Sequence, residues 1–391
     1  MPGSVRCAPA EATIKKGAHG GNLVSPVLRC ADRLDCVPSA TIVSSRDRSE
    51  IVGGQAGLAA AVSAEAHGEL GEIEQVRARG YWEQVWLRFR RDKMAIGSGI
   101  FIILLILVAA VGGPIAKHFL GHGPDTPYPI GGVDLKSFLP VGPFTSFKDE
   151  FGHTQYFVLG GDGPLGRDEF LRILYGARVS LEVAVLSTVG VMTIGIVLGV
   201  IAGYFRGWID TVISRILELT MLFPGLLFII ALSGTAGPRL NKVTLGVFPQ
   251  GVLTLVLVFS VFGWFFPARI LRAQVLSLRE KEFVEAARMI GASDVRIMRS
   301  HILPHLVAPV IVFSTLVVAQ YVLFEASLSY LGLGIPGATA SWGNLLANAP
   351  TYYTTQPWLM VWPGLAILLT TLAFNLFGDG LRDAFDPRSS R

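Results

Sequence analysis

Residues 280–305 read EKEFVEAARMIGASDVRIMRSHILPH, a charged stretch held between two runs apolar enough for lipid. Phe283, Ala286, Ala287 and Ile290 recur at i, i+3, i+4 and i+7, which predicts one apolar face of a short helix. Gly291 fits the position just past that helix, where the backbone turns left-handed and a residue without Cβ meets no clash. Ser293 or Asp294 can cap a second helix, Val295, Met298 and Ile302 supply its apolar stripe, and Pro304 marks the start of a longer apolar run. Small side chains at Ala286 and Ala287, beside the free charge of Glu285, predict a shallow exposed surface. Such a surface suits another protein's groove and not a catalytic pocket.

The rest of the chain has the composition of a membrane protein. Of 391 residues 51% are hydrophobic and 16% charged, against about 25% charged in a typical soluble domain. Runs without charge, each near the ~20 residues that cross a bilayer core, lie at 94–116, 183–205, 219–238, 243–268, 306–324 and 358–378. They predict an all-α membrane protein with six transmembrane helices. The first run is too long and too late in the chain to be a secretory signal.

Lys and Arg accumulate in short cytoplasmic loops. Here they gather before the first run (Arg77, Arg79, Arg88, Arg90, Arg91, Lys93) and between the fourth and fifth (Arg269, Arg272, Arg279, Lys281, Arg288, Arg296, Arg299). Residues 332–357 carry no charge, and after the first run Asp125, Asp134, Asp149 and Glu150 outnumber Lys136 and Lys148. The expected topology places both termini in the cytoplasm, with Arg382, Arg388 and Arg391 in agreement. The net charge of +4 then reports topology, and no basic patch interleaved with aromatics points to nucleic acid.

Residues 1–75, rich in Ala, Gly and Ser, read as a disordered extension that contrasts with the rest enough to suggest a later translation start. Its Cys7, Cys30 and Cys36 match no zinc or redox spacing, and a reducing cytosol argues against a disulfide. Residues 76–93 predict a basic amphipathic lead-in helix with Trp82, Trp86 and Phe89 at the membrane interface. Residues 94–117 form the first transmembrane helix in this reading, 118–178 an external, hairpin-like cap rich in Gly, Pro and aromatics, and 179–385 a core of five further helices.

Arg167 and Asp168 are candidates to touch cargo or an external protein, although Phe170, Ile173, Leu174 and Ala177 make an interfacial helix the simpler reading. Carboxylates at membrane depth are costly and therefore functional candidates. Glu325 and Glu218 lie near the ends of the fifth and third runs, close enough to an interface to stay wet, and could line a pore or meet a substrate amine. Asp379, Arg382 and Asp383 read as anchors of the last helix. No GxxxxGK[ST] run is present, and the seven histidines show neither HExxH nor paired ligand spacing. No catalytic residue, cofactor or metal site is expected in this chain.

Glu285-Ala286-Ala287, three residues, Gly291 and then Leu303-Pro304 resemble the EAA loop of ABC importer permeases. GPLGRDEFLRILYGARVSL (163–181), EASLSYLGLGIPGATASWGNLL (325–346) and NLFGDGLRDAFDPR (375–388) resemble segments of the dipeptide and oligopeptide permease C subunits. The likeness covers about four fifths of the chain, and departs from the family at His301, His305, Gly161 and the longer loop after the first run. It implies the type I ABC importer permease fold, a heterodimer with a second permease, and one or two cytoplasmic ATPase subunits that bind ATP and magnesium. It also implies an external substrate-binding protein, a bacterial cytoplasmic membrane and uptake of di- or oligopeptides. The ATPase would dock on Glu285, Ala286, Ala287, Gly291, Leu303 and Pro304. Alternatives are the same architecture carrying nickel chelates or another solute, and a secondary transporter acting alone. The latter would call for matched broken helices and charges at mid-bilayer, which the sequence lacks.

Overall fold

The computed structural model describes residues 80–134, 137–222, 227, 231, 249 and 251–386. The expected extension with its three cysteines, and most of the third apolar run, lie outside the described residues.

The short amphipathic helix α1 (Tyr81–Phe89) is followed by Asp92, whose carboxylate accepts the backbone N–H groups of Met94 at 2.9 Å and Ala95 at 3.2 Å. This cap starts α2 (Lys93–Leu120), which widens into a π turn over Val108–Gly112. After a polar segment come α3 (Glu169–Tyr204) and α4 (Trp208–Leu222). Beyond them lie α5 (Val252–Gly263), α6 (Phe265–Arg279), α7 (Glu282–Met289), α8 (Asp294–Tyr330), the small α9 (Trp342–Asn348) and α10 (Trp358–Phe385).

Among the described residues, helices α2, α3, α8 and α10 are long and apolar enough to cross a membrane, and α5 and α6, bent by 41° at their junction, are so only when taken together. These correspond to five of the expected runs.

Helix α3 is the centre of the bundle, packing against α5, α6 and α8. Its Gly195, Gly199 and Gly203 stand four apart on the face toward α6. A Cβ at these positions would lie 2.9 Å from Pro267, 2.8 Å from the carbonyl oxygen of Ala268 and 2.7 Å from Val275. Between helices in lipid no hydrophobic force operates, so close backbone approach and the dispersion it allows hold the pair together. Similarly α2 meets α10 where a Cβ on Gly380 would come 2.2 Å from that of Ala95.

The segment between α2 and α3 folds into two antiparallel ladders, β1 (Thr145–Lys148) with β2 (Thr154–Phe157) and β3 (Gly161–Asp162) with β4 (Arg167–Asp168). The β1–β2 turn is closed by Asp149, which accepts N–H bonds from Phe151 (3.0 Å), His153 (2.8 Å) and the Gln155 amide (3.2 Å). Desolvation pushes the Asp149 carboxyl up, but donation from His153, Gln155 and Phe151 outweighs it and holds the group below the usual carboxylate range. Tyr128, Phe147 and Phe157 pack edge to face beneath, with Phe147 and Phe157 4.9 Å apart at their centroids. The aromatic density of the sequence thus builds a small core for this cap.

Candidate functional site

Helix α7 stops because of a Schellman turn. The Gly291 N–H donates to the Arg288 carbonyl at 2.9 Å, the Ala292 N–H to that of Ala287 at 3.0 Å, and Gly291 itself sits at φ 82°. No atom stands within 4 Å of where its Cβ would be, so the backbone angle and not space requires glycine here.

The buried side of α7 is Val284 and Ala287, with Phe283 partly covered. They belong to one buried cluster with Val200 and Tyr204 of α3, Leu271 and Val275 of α6, and Leu306 of α8. Met289 and Ile290 are 83% and 84% exposed, and Glu285 and Ala286 also face outward. The face expected from the sequence joined Ala286 and Ile290 to Ala287, and the structure separates them. Apolar residues occur on both sides of this two-turn helix, so spacing alone does not say which side meets the spans.

The next turn departs from α period. Asp294–Arg296 is one helical turn, and Ile297–Ile302 is a π stretch in which both isoleucines are fully buried. Residues five apart share a face only in such a widened turn. The stripe expected at Val295, Met298 and Ile302 assumed α spacing, and Val295 is instead exposed. Leu303 and Pro304 follow, partly turned outward, at the start of the membrane-crossing part of α8.

Tyr204, the last residue of α3, ties these pieces together. Its hydroxyl donates to Asp294 Oδ1 at 2.6 Å, and the guanidinium carbons of Arg288 and Arg279 stand 5.4 and 5.8 Å from its ring centroid. Arg279 also donates to the Tyr204 carbonyl. A tyrosine closing an apolar run two residues before Arg206 was the available signal, and the sequence reading missed it. Nearby Arg272 grips Asp210 of α4 with bonds of 2.5 and 2.8 Å, and this donation holds the Asp210 carboxyl below the usual carboxylate range.

At the opposite end of α3 the structure encloses the other candidates. Asp168 is fully buried, caps α3 through the N–H groups of Phe170 (2.9 Å) and Leu171 (3.4 Å), and meets His122 Nε2 at 2.9 Å. Arg167 reaches Asp162 at 3.2 Å and donates to the Gly337 carbonyl at 3.3 Å. Buried Arg172 pairs with Asp125 at 2.5 Å and Asp162 at 2.9 Å.

Glu325 is not wet, as its place near the end of a span had suggested, but wholly enclosed. It accepts Ser180 Oγ at 2.8 Å and Ser329 Oγ at 2.7 Å. Ser180 in turn accepts the Trp342 N–H at 3.3 Å, and the Trp342 indole donates to the Ile173 carbonyl at 3.1 Å. The carboxylate clasps α8, α3 and α9 together, because the loop after α8 folds back over the helix end and excludes water. Glu218 remains exposed and pairs with Arg215 at 2.6 Å.

Residues 195–391 match the family model described as binding-protein-dependent transport system inner membrane component. Residues 80–130 match that of the N-terminal TM domain of oligopeptide transport permease C. The dipeptide transport system permease protein DppC of Alkalihalophilus pseudofirmus is 33% identical, over 81% of this chain and 92% of its own length. The glutathione transport system permease protein GsiD of Escherichia coli is 38% identical, over 81% of this chain and 93% of its own. The chain belongs to this family of binding-protein-dependent inner membrane permeases.

A chain from inward-facing structures of the MetNI methionine ABC transporter overlays this permease with a TM-score of 0.44 and 18% identity, covering 55% of this chain and 97% of that one. The two ends of α3 differ in what they leave exposed. At one, Asp162, Arg167, Asp168 and Arg172 are folded inward against partners. At the other, a rigidly seated short helix leaves Ala286, Met289 and Ile290 uncovered beside the charge of Glu285.

Proposed function

We propose that this permease takes up di- or oligopeptides across a bacterial cytoplasmic membrane, driven by ATP hydrolysis in separate subunits that dock on α7 and the turn after it. The observation that carries the reading is a short helix fixed to three spans by buried contacts while its outer apolar side has no cover. Met289, Ile290 and Ala286 would enter a groove on the ATPase, Glu285 would pair with a cation at its edge, and Gly291 with Leu303 and Pro304 would shape the rim. Val284 and Ala287 transmit the push, because they share one buried cluster with side chains of α3, α6 and α8.

When two ATPase subunits close on ATP and magnesium, the two docked helices move with them, and a packed bundle responds by switching between two arrangements. In this reading the chain contributes no catalytic residue, metal ligand or cofactor of its own. The pore is shared with a second, related permease, and an external binding protein delivers cargo. The end bearing α7 and both termini lie in the cytoplasm, which the clustering of Arg and Lys at that end supports. The peptide cargo is supported by the dipeptide and glutathione relatives.

The test is the reconstituted complex with its binding protein, assayed for both peptide uptake and ATP hydrolysis. Glu285→Arg and Gly291→Val are expected to abolish uptake while the protein stays inserted. Normal uptake in both would overturn the docking assignment. ATP hydrolysis that no short peptide stimulates would overturn the cargo and leave the docking in place.

A further inference from the structure

Between α2 and α10 runs an apolar slot of about 260 Å³, lined among others by Lys93, Met94, Gly97, Phe101, Leu372 and Leu376. Gly97 lies on its wall, and a Cβ there would project into open space, with nothing within 4 Å. Among the described residues Lys93 is the only charged one of the lining, and it stands at one end, in the first turn of α2. Arg90 and Arg91, both exposed, precede it. Asp92 at this end caps α2, and none of the acidic residues there, Glu83, Asp379, Asp383 and Asp386 included, is among the lining residues.

The same end carries the marks of a membrane–water boundary. Helix α1 is held to the end of α10, with Trp82 6.1 Å from Phe385 and Phe89 5.8 Å from Phe377 at their ring centroids, and Arg88 donating to the Asp386 carbonyl at 2.9 Å. Trp82 and Trp86 stay exposed on it, as interface tryptophans do. Met94, Leu369 and Leu372 are likewise exposed at the lips of the slot, so it opens sideways to the surroundings of the bundle. A narrow greasy slot with cations at one mouth is complementary to one kind of molecule, an acyl chain with an anionic headgroup.

We infer that the slot holds one acyl chain of an anionic phospholipid, with its phosphate on Lys93 and Arg90 and Arg91 alongside. The Lys93 stem covers apolar surface while its ammonium stays at headgroup level, and clustered basic residues draw anionic lipid to a leaflet. Bound there, the lipid fills the seam between α2 and α10, whatever the permease carries.

The test is native mass spectrometry of the whole importer complex purified in mild detergent and then titrated with phosphatidylglycerol or phosphatidylcholine. The variants are Lys93→Gln, which removes the charge, and Gly97→Phe, which fills the slot, with Lys117→Gln at the far end of α2 as control. Wild type and control are expected to retain phosphatidylglycerol in preference to phosphatidylcholine, and Lys93→Gln to bind it about fivefold more weakly, the effect of one surface cation. Gly97→Phe is expected to lose it. The inference is overturned if wild type retains no lipid, if it retains phosphatidylcholine equally, or if both variants bind as wild type does. It is also overturned if a Gly97→Cys complex cross-links to the second permease, which would put a protein helix in the slot.

Discussion

The two ends of α3 solve opposite problems. At its start, charge is taken out of water, with Asp162 met by Arg167 and Arg172 and Asp168 by His122 and backbone N–H groups. At its finish, Tyr204 secures α7 and α8 from beneath, yet Met289 and Ile290 are left bare above. Burial of charge makes the first end intolerant of change, and an uncovered apolar face makes the second depend on a partner. Substitutions should therefore cost stability at one end and coupling at the other.

The largest effect is expected from Arg172→Met, which leaves buried Asp162 with Arg167 as its one remaining cationic partner; removing one partner of a buried ion pair costs about 3–5 kcal/mol. Thermal unfolding of the detergent-solubilised complex should show it, and an unchanged midpoint would mean the cluster is wetter than its burial implies. Next comes Gly199→Val on the α3–α6 seam, where overpacking is expected to cost about 1–3 kcal/mol by the same measurement. Wild-type stability there would deny that backbone contact holds these helices.

At the other end, Ile290→Ser should change stability by no more than about 0.5 kcal/mol, as exposed substitutions do. Peptide uptake by the reconstituted complex should nevertheless fall several-fold. A loss of stability comparable with that of Arg172→Met would erase the contrast between the ends. The smallest effect belongs to Asp210, whose carboxyl Arg272 holds low. Because the folded value lies below the ordinary 3.8, the stabilisation is present above that value and is lost as pH falls through the lower folded one. Solvent screening limits it to at most about 1 kcal/mol. Asp210→Asn should flatten that acid-side decline, measured as unfolding midpoint against pH.

Much of this architecture was legible in the sequence. Uninterrupted apolar runs announce spans whatever they pack against, and Gly291 announced its turn because few other residues hold a positive φ. What escaped depended on partners distant in sequence. His122 lies 46 residues from Asp168, and Ser180 lies 145 from Glu325, and no local pattern links them. The facing of α7 escaped for another reason: the amphipathic rule presumes one covered side, and this helix has apolar residues on two.

The widened turn at Ile297–Ile302 carries one residue more than an α-helix would use over the same rise. Residues in an α-helix advance by roughly 100° each, so that surplus residue fixes the rotational phase between the docked segment and the span it drives, much as the offset of one tooth sets the timing of a gear train. Deleting a single residue there would leave both helices intact and mistime them, with either Ile297 or Ile302 swung out of the seat it now occupies.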